Sequence, residues 1–252
     1  MKKIISNLLT IVAACTLLYA SYHLIVIFYD YYNNKQVMDD LQDLYYEDQS
    51  EADLIHDTDK QELSALRSGF DRLLERNDET VGWITIDGTK VDYPIVQASD
   101  NEKYLDRNFY DEESRAGSIF LDYRNDILND HEKNIILYGH RTKDGSMFQH
   151  LTKFLDKDFY NEHKTFEFET LYNSYEAEVF AVYQTVTDFD YIRTDFRDHS
   201  FNHYLNEVNE TSMFDSDIEV TGDDQIITLS TCDYDLDPDE GRLVVQAKLT
   251  AK

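Results

Sequence analysis

The chain opens on an unbroken apolar pattern. From Ile4 to Tyr29 no residue carries a formal charge, and most positions are Leu, Ile, Val, Ala or aromatic. A helix of that length can cross a bilayer, which takes about 20 apolar residues. Lys2 and Lys3 precede the stretch and Asp30 follows it. The positive-inside rule then puts the N-terminus in the cytoplasm and the rest outside. A cleaved signal peptide is the competing reading. The stretch ends in Ile25-Val26-Ile27-Phe28-Tyr29, without a small-x-small cleavage site, so an uncleaved anchor is preferred. Tyr22, Tyr29, Tyr31 and Tyr32 suit an interfacial belt.

Polarity then changes twice. Residues 33–60 are acidic, with Leu41, Leu44, Leu54 and Ile55 scattered among them, and read as a partly helical juxtamembrane stalk. Over residues 60–77, Leu63, Leu66, Phe70, Leu73 and Leu74 recur at spacings of three and four, which predicts a helix. From residue 81 the period shortens. Val81–Ile86 and Lys90–Tyr93 read as strands around an Asp87-Gly88 turn, the second ended by Pro94. Ile95–Gln97 is short and extended. Asn101–Phe109 reads as a short helix with Ser99 and Asp100 as capping candidates. Strands are expected at Gly117–Asp122, Asn134–Gly139, Thr165–Leu171, Ala177–Thr187, Gln225–Thr231 and Arg242–Leu249. Helices are expected at Ser146–Phe154 and Phe196–Phe214. Many short strands with a few helices predict a mainly β fold, a closed or nearly closed barrel. The expected divisions are 1–32 (cytoplasmic tip and transmembrane anchor), 33–60 (stalk) and 61–252 (one extracellular domain).

Charge narrows the partners. The 252 residues carry −28, and Lys2 and Lys3 lie before the first acid, so the part beyond the apolar stretch carries −30. Nucleic acid is disfavoured as a partner, because phosphate binding needs a basic surface. Such a surface gives solubility, and it favours a cationic substrate or partner over an anionic one. Only two cysteines occur. Cys15 lies in the apolar stretch, so Cys232 is the only thiol of the exported part, and no disulfide within it is possible.

Candidate chemistry gathers at strand ends. Cys232 follows the apolar strand ending in Leu229-Ser230-Thr231, where a loop opens. It is either an inert buried thiol or a nucleophile, and it becomes the latter beside a base or a cation. His140 follows Leu137-Tyr138-Gly139 in the same way. Arg242 opens the strand expected to pair with the one ending at Cys232. If the two are antiparallel neighbours, its guanidinium lies across from the thiol and can donate to a developing oxyanion. The alternative is an ordinary salt bridge to Asp233, Asp235 or Asp239.

These residues carry a family resemblance. Thr228-Leu229-Ser230-Thr231-Cys232, the arginine ten residues later and the upstream Tyr138-Gly139-His140 resemble the motifs of sortases. Asp92-Tyr93-Pro94-Ile95-Val96-Gln97, Asp100-Asn101 with Tyr104-Leu105, Gly145-Ser146-Met147-Phe148 and the expected helix near 196–214 look like class B. The resemblance spans roughly residues 62–250, in order. It implies a sortase-type barrel of about eight strands, with N-terminal helices and a class B helix before the last strands. It implies cleavage of a C-terminal sorting signal after threonine through a thioacyl on Cys232, with His140 as general acid/base and Arg242 as the oxyanion and substrate stabiliser. The partners would be signal-bearing surface proteins and an amine acceptor, a peptidoglycan precursor or a pilin lysine. By the same analogy Asn101, Leu105, Thr187, Tyr191, Ile192, Ser230 and Asp233 would line the signal groove, and Thr231 would add a hydrogen bond. The chemistry agrees without a third acid, since a thiolate attacks and an imidazolium protonates the leaving nitrogen. The acids of the 233–241 loop oppose thiolate formation and are expected to face solvent or a basic residue of the signal.

No cofactor or metal is expected. The alternating acids from Asp233 suggest calcium, but an EF-hand needs Gly sixth and Glu twelfth. Those positions hold Pro238 and Val244, or Glu240 and Gln246 in the other register. His199 and His203 are four apart without a zincin glutamate, and read as a surface pair. The rival to the enzyme is a non-catalytic, membrane-tethered peptide-binding or adhesion module.

Overall fold

The computed structural model describes residues 2–55, 66–127, 132–186, 190–196 and 200–252. The strands are β1 (Thr80–Thr85), β2 (Asp92–Val96), β3 (Ile119–Leu121), β4 (Asn134–Tyr138), β5 (Thr165–Thr170), β6 (Ser174–Thr185), β7 (Gln225–Cys232) and β8 (Arg242–Ala251). They close into a barrel in the order β1-β2-β3-β4-β7-β8-β6-β5, with β5 returning to β1. Closure leaves no unpaired edge. The β2–β3 and β4–β7 pairs are parallel and the others antiparallel. The eight-stranded barrel with accompanying helices is the fold the resemblance implied.

Two apolar layers hold it. Ile84, Ile95, Leu137, Phe168, Leu229 and Val245 belong to the main core. A second cluster covers the outer face of β6, β7 and β8, where α4 (Phe201–Thr211) buries Phe201, Tyr204, Leu205 and Val208. Spacings of three, one and three put these four on one helix face. Burying each such side chain is worth about 1.5–3 kcal/mol. Under the helix lies a buried polar chain: Gln246 donates to Tyr204 Oη (2.6 Å) and Thr228 Oγ1 (2.7 Å), and Thr228 donates to Asn134 Oδ1 (2.6 Å).

Several elements differ from expectation. β2 runs through Pro94 instead of ending there. Pro94 pairs with Trp83 of β1, and the β3 pairing begins only at Ile95, so its missing N–H has no ladder to break. Of Asn101–Phe109, one 3₁₀ turn forms, Lys103–Leu105, and Asp100 Oδ1 caps the backbone N–H groups of Glu102 and Lys103 at 2.9 Å. The segment from Phe148 to Leu155 is 3₁₀, followed by an unanticipated α3 (Lys157–Glu162) capped by Asp156. α4 begins at Phe201. Phe196, expected inside it, lies in the preceding loop with its ring against Phe201 and Tyr204. It ends at Thr211, where Met213 N–H is drawn to Val182 O of β6 (2.8 Å).

The N-terminal part departs most. α1 (Lys2–Ile55) is one helix. Asn34, Val37, Met38, Leu41 and Tyr45 form a buried stripe at helical spacing, and Tyr45 stacks on Trp83 with centroids 4.1 Å apart. Tyr45 Oη donates to Glu169, which also takes Arg67 at 2.6 Å. The first half of the expected stalk is therefore docked on the barrel. The helix expected over 60–77 is confined, within the described residues, to α2 (Phe70–Arg76). Gly69, at φ 96°, turns the chain into it, so Leu66 lies outside the helix. Leu63, Thr187 and His199 lie outside the described residues.

Candidate active site

The barrel register assembles the site. β4 and β7 are parallel neighbours, with Tyr138 opposite Ser230. His140 and Cys232 each follow those residues by two, so both leave the sheet at the same rim. Gly139 carries the chain there, its N–H donating to Ser230 O (3.2 Å). A Cβ at Gly139 would stand 2.4 Å from Ile119 Cδ1 and 2.8 Å from Phe148 Cδ2, so only glycine fits. β7 and β8 are antiparallel, with Cys232 directly opposite Arg242. The three strand-end residues picked out from the sequence thus meet at one place.

Their charges are mutually supporting. Hydrogen bonding to Cys232 raises the His140 pKa above its ordinary value, against the effect of burial, and the Leu105 carbonyl reinforces the rise. His140 Nε2 lies 2.6 Å from Leu105 O. A carbonyl only accepts, so Nε2 carries a proton and Nδ1 is the nitrogen left to exchange one. The Cys232 pKa is lowered, first by the bond to His140, against burial, and then by Arg242, Tyr234 and the imidazole charge. Both shifts favour thiolate and imidazolium. Arg242 Nη1 is held by the carbonyls of Gly241 (2.8 Å) and Asp239 (3.4 Å). Among the described residues no carboxylate lies within 4 Å of it, so the salt-bridge alternative does not hold.

A groove of about 290 Å³ opens from the thiol. Asn101, Leu105, Tyr191, Ile192, Ser230 and Thr231 line it together with His140, Cys232 and Arg242. Phe120, Tyr138 and Gly139 complete the wall, and sequence reasoning had not named Phe120. Tyr191 and Ser230 share a hydroxyl–hydroxyl bond at 3.0 Å. Strand alternation turns the Thr231 side chain away from those of Ser230 and Cys232, and among the described residues its buried hydroxyl has no hydrogen-bond partner.

One wall hangs on a carboxylate the sequence did not flag. Asp122, fully buried, takes Arg124 Nε (2.8 Å) and Nη2 (2.7 Å), Tyr138 Oη (2.8 Å) and Asn101 Nδ2 (3.0 Å). Burial raises its pKa, but the bonds from Arg124 and Tyr138 outweigh this and lower it. Arg124 also donates to Ile192 O (3.0 Å), tying the opposite wall. The only sequence signal was an acid at a strand end.

Asp233 behaves differently from expectation. It does not line the groove and does not face solvent. It is buried under the loop, where Arg141 Nη1 reaches it at 3.1 Å and Gln184 donates to it. Asp235 takes the other arm of Arg141 at 2.7 Å, and Asp237 Oδ1 caps the N–H groups of Asp239 and Glu240. The acidic loop is thus folded on its own charges, with Asp233 N–H closing to Gly241 O at 2.8 Å. Among the described residues no cluster of three or more His, Cys, Asp or Glu could hold a metal.

A closed mixed barrel thus carries cysteine, histidine and arginine together at one rim beside an apolar groove. The Sortase domain family matches residues 84–250. Sortase B of Listeria monocytogenes is 42% identical over 100% of this chain and 99% of its own. The crystal structure of sortase B from Bacillus anthracis in complex with AAEK1 superimposes with a TM-score of 0.77 at 47% identity, covering 90% of this chain and 100% of that one. A Staphylococcus aureus sortase B–substrate complex gives 0.77 at 36%, covering 87% and 97%. The chain belongs to the sortase family, in its class B. That membership supports a sortase-type transpeptidase role.

Proposed function

We propose that the protein is a membrane-anchored transpeptidase that cleaves a sorting signal after threonine and passes the acyl group to an amine. The carrying observation is the register that sets His140 beside Cys232 and Arg242 across from it, at the mouth of the groove. The signal lies in the groove, its apolar residues against Leu105, Tyr191 and Ile192. The Cys232 thiolate attacks the threonine carbonyl carbon. The C=O electron pair moves to oxygen, where Arg242 donates to it. When the C–N bond breaks, the imidazolium of His140 protonates the departing nitrogen through Nδ1. An acceptor amine then attacks the thioacyl carbon, His140 takes its proton, and the thiolate leaves. The acceptor is an amine of a cell-wall precursor or a pilin lysine.

The anchor is residues 1–32 and the catalytic domain 61–252, to which the docked part of the connecting segment is added. The span holds an 18-residue window of mean hydropathy 2.0, none of it buried against the barrel. Ile4, Leu8, Leu18, Ile25 and Phe28 are all exposed, an apolar surface that a bilayer would cover. The catalytic domain then lies outside the cell.

The test is incubation of the protein with a library of sorting-signal peptides, with and without an amine, followed by mass spectrometry of the products. Cleavage after threonine with amine-dependent ligation is expected. Cleavage that persists in Cys232→Ala would defeat the proposal.

A further inference from the structure

One face of β7 runs from beneath α4 to the thiol. Side chains alternate along a strand, so Ile226, Thr228, Ser230 and Cys232 point the same way. Ile226 packs in the cluster under α4, Ser230 lines the groove and Cys232 ends the strand. Thr228 lies between them, opposite Gln246 of β8 and one diagonal step from Asn134 of β4. Asn134, Thr228 and Gln246 are all fully buried. Three polar side chains taken out of water carry a desolvation cost that only their hydrogen bonds can offset.

Those bonds close a ring through the groove wall. Gln246 Nε2 donates to Tyr204 Oη and Thr228 Oγ1, and Thr228 donates to Asn134 Oδ1. Tyr204 Oη and Asn134 Nδ2 then both donate to the Tyr191 carbonyl, at 2.9 and 3.2 Å. The other hydrogen of Asn134 Nδ2 goes to the Arg193 carbonyl at 3.0 Å. Each amide spends its two hydrogens and each hydroxyl its one, so the ring has a single sense. Turning the Gln246 amide over would draw both hydroxyls to Oε1 and take them from Tyr191 O and Asn134 Oδ1. Residues 190–196 belong to no strand or helix. With Arg124 on the Ile192 carbonyl, three consecutive carbonyls of this segment are held by side chains instead of a backbone ladder.

We propose that Asn134, Thr228, Tyr204 and Gln246 are positioning residues for the peptide groove: their ring fixes the backbone of residues 191–193 and so sets Tyr191 and Ile192 against the bound signal. The Tyr191 hydroxyl then meets Ser230 Oγ at 3.0 Å, and both side chains form groove wall. Tyr204 makes α4 part of the binding apparatus, since its hydroxyl joins the helix to the wall while its ring packs in the cluster that also takes Tyr191 and Ile192. None of the four lines the groove, so each acts through Tyr191 and Ile192. Loss of such a hold removes binding shared by the bound and the reacting peptide, which raises KM and leaves kcat. The role in signal binding rests on the transpeptidase reading; the hold on the wall does not.

The test compares the full chain in detergent micelles with Tyr204→Phe, Thr228→Val and the double variant. Phenylalanine keeps the ring in the cluster and valine keeps the branched shape, and either opens the hydrogen-bonded ring, so one folded variant suffices. The Cδ1 methyl of Ile192 is followed by NMR, with that of Ile227 in the core as reference. The Ile192 order parameter should fall in each variant while that of Ile227 holds. An unchanged Ile192 methyl overturns the proposal, whether or not any peptide is cleaved. Kinetics use the sorting-signal peptide that the unaltered chain cleaves fastest. KM should rise about three- to tenfold in each single variant, with kcat and the pH profile of Cys232 alkylation by iodoacetamide unchanged. In the double variant the rise should fall short of the product of the single rises, because both changes open one ring. A full product overturns the ring, and a fall in kcat at constant KM or a shifted alkylation profile overturns the groove role. If the unaltered chain cleaves no peptide, the transpeptidase reading fails and the methyl result still decides the hold on the wall.

Discussion

On one side of His140 lies a groove of about 290 Å³ with Leu105, Phe120, Tyr191 and Ile192 in its wall; on the other lies a cavity of about 660 Å³ with Arg115, Arg141 and Lys143. The groove gains affinity by covering apolar surface, and its polar groups, Asn101 and the Tyr191–Ser230 pair, are fixed by other protein atoms. The cavity also offers apolar surface, but three of its nine lining side chains are Arg or Lys. The groove is built on β4, β7 and the loop before α4, whereas the cavity draws on α1 and the acidic loop. A two-substrate acyl transfer needs a donor and an acceptor to reach one thiol in turn. On the proposed function, the two sides of His140 are chemically distinct approaches to one imidazole.

The largest break in this comparison is loss of the shared centre. Cys232→Ala is expected to lower peptide cleavage by about 10⁴-fold or more with the same Tm, measured by chromatography of cleaved peptide. His140→Gln should cost about 10²–10⁴-fold, because Nδ1 is lost both as the acid and as the base. In the unaltered protein the pH profile of kcat/KM should be a bell. The thiol pKa is lowered from 9.0 and the imidazole pKa is raised from 6.5, so the attraction within the pair moves the acid flank down and the alkaline flank up. Rate falls on the acid side as the thiolate is protonated and on the alkaline side as the imidazolium is lost; the two flanks belong to the pair. A profile without a fall on the alkaline side would contradict the pairing.

Arg242→Lys should lose about 10²–10³-fold in kcat with little change in Tm, since lysine lacks the fork that the Gly241 and Asp239 carbonyls orient. Asp122→Asn sharpens the comparison at smaller cost. It weakens the pair with Arg124 and the hold on Asn101 and Tyr138, so KM for peptide should rise several-fold and stability fall by about 1–3 kcal/mol. Denaturant titration and peptide kinetics measure both.

The strands were legible because alternation and apolar runs survive in a closed barrel. Cys232, His140 and Arg242 were legible because each sits at the end of such a run, beside a glycine or a loop. Their meeting was not, since it depends on β4 lying parallel to β7 across 94 positions of sequence, from Asn134 and Thr228, joined by a buried side-chain bond. The groove wall was partly legible. Asn101 and Leu105 could be named by analogy, but Asp122 shows no local pattern that separates a buried hub from one of 51 acids. Asp233 misled for the same reason: its partners Arg141 and Gln184 are distant in sequence, and the acidic run around it suggested solvent. The docked stripe of α1 was hidden because Asn34 and several acids interrupt its apolar spacing.

The claim at the centre is that Cys232 carries the acyl group. The protein is mixed with a cleavable sorting-signal peptide in the absence of amine, quenched in acid within one turnover, digested and mass-analysed. The account predicts the mass of the peptide fragment ending in threonine, bound as a thioester on the peptide containing Cys232, and its disappearance on adding an amine as ligated product forms. Cleavage without any such adduct, or with the adduct on another residue, would contradict it.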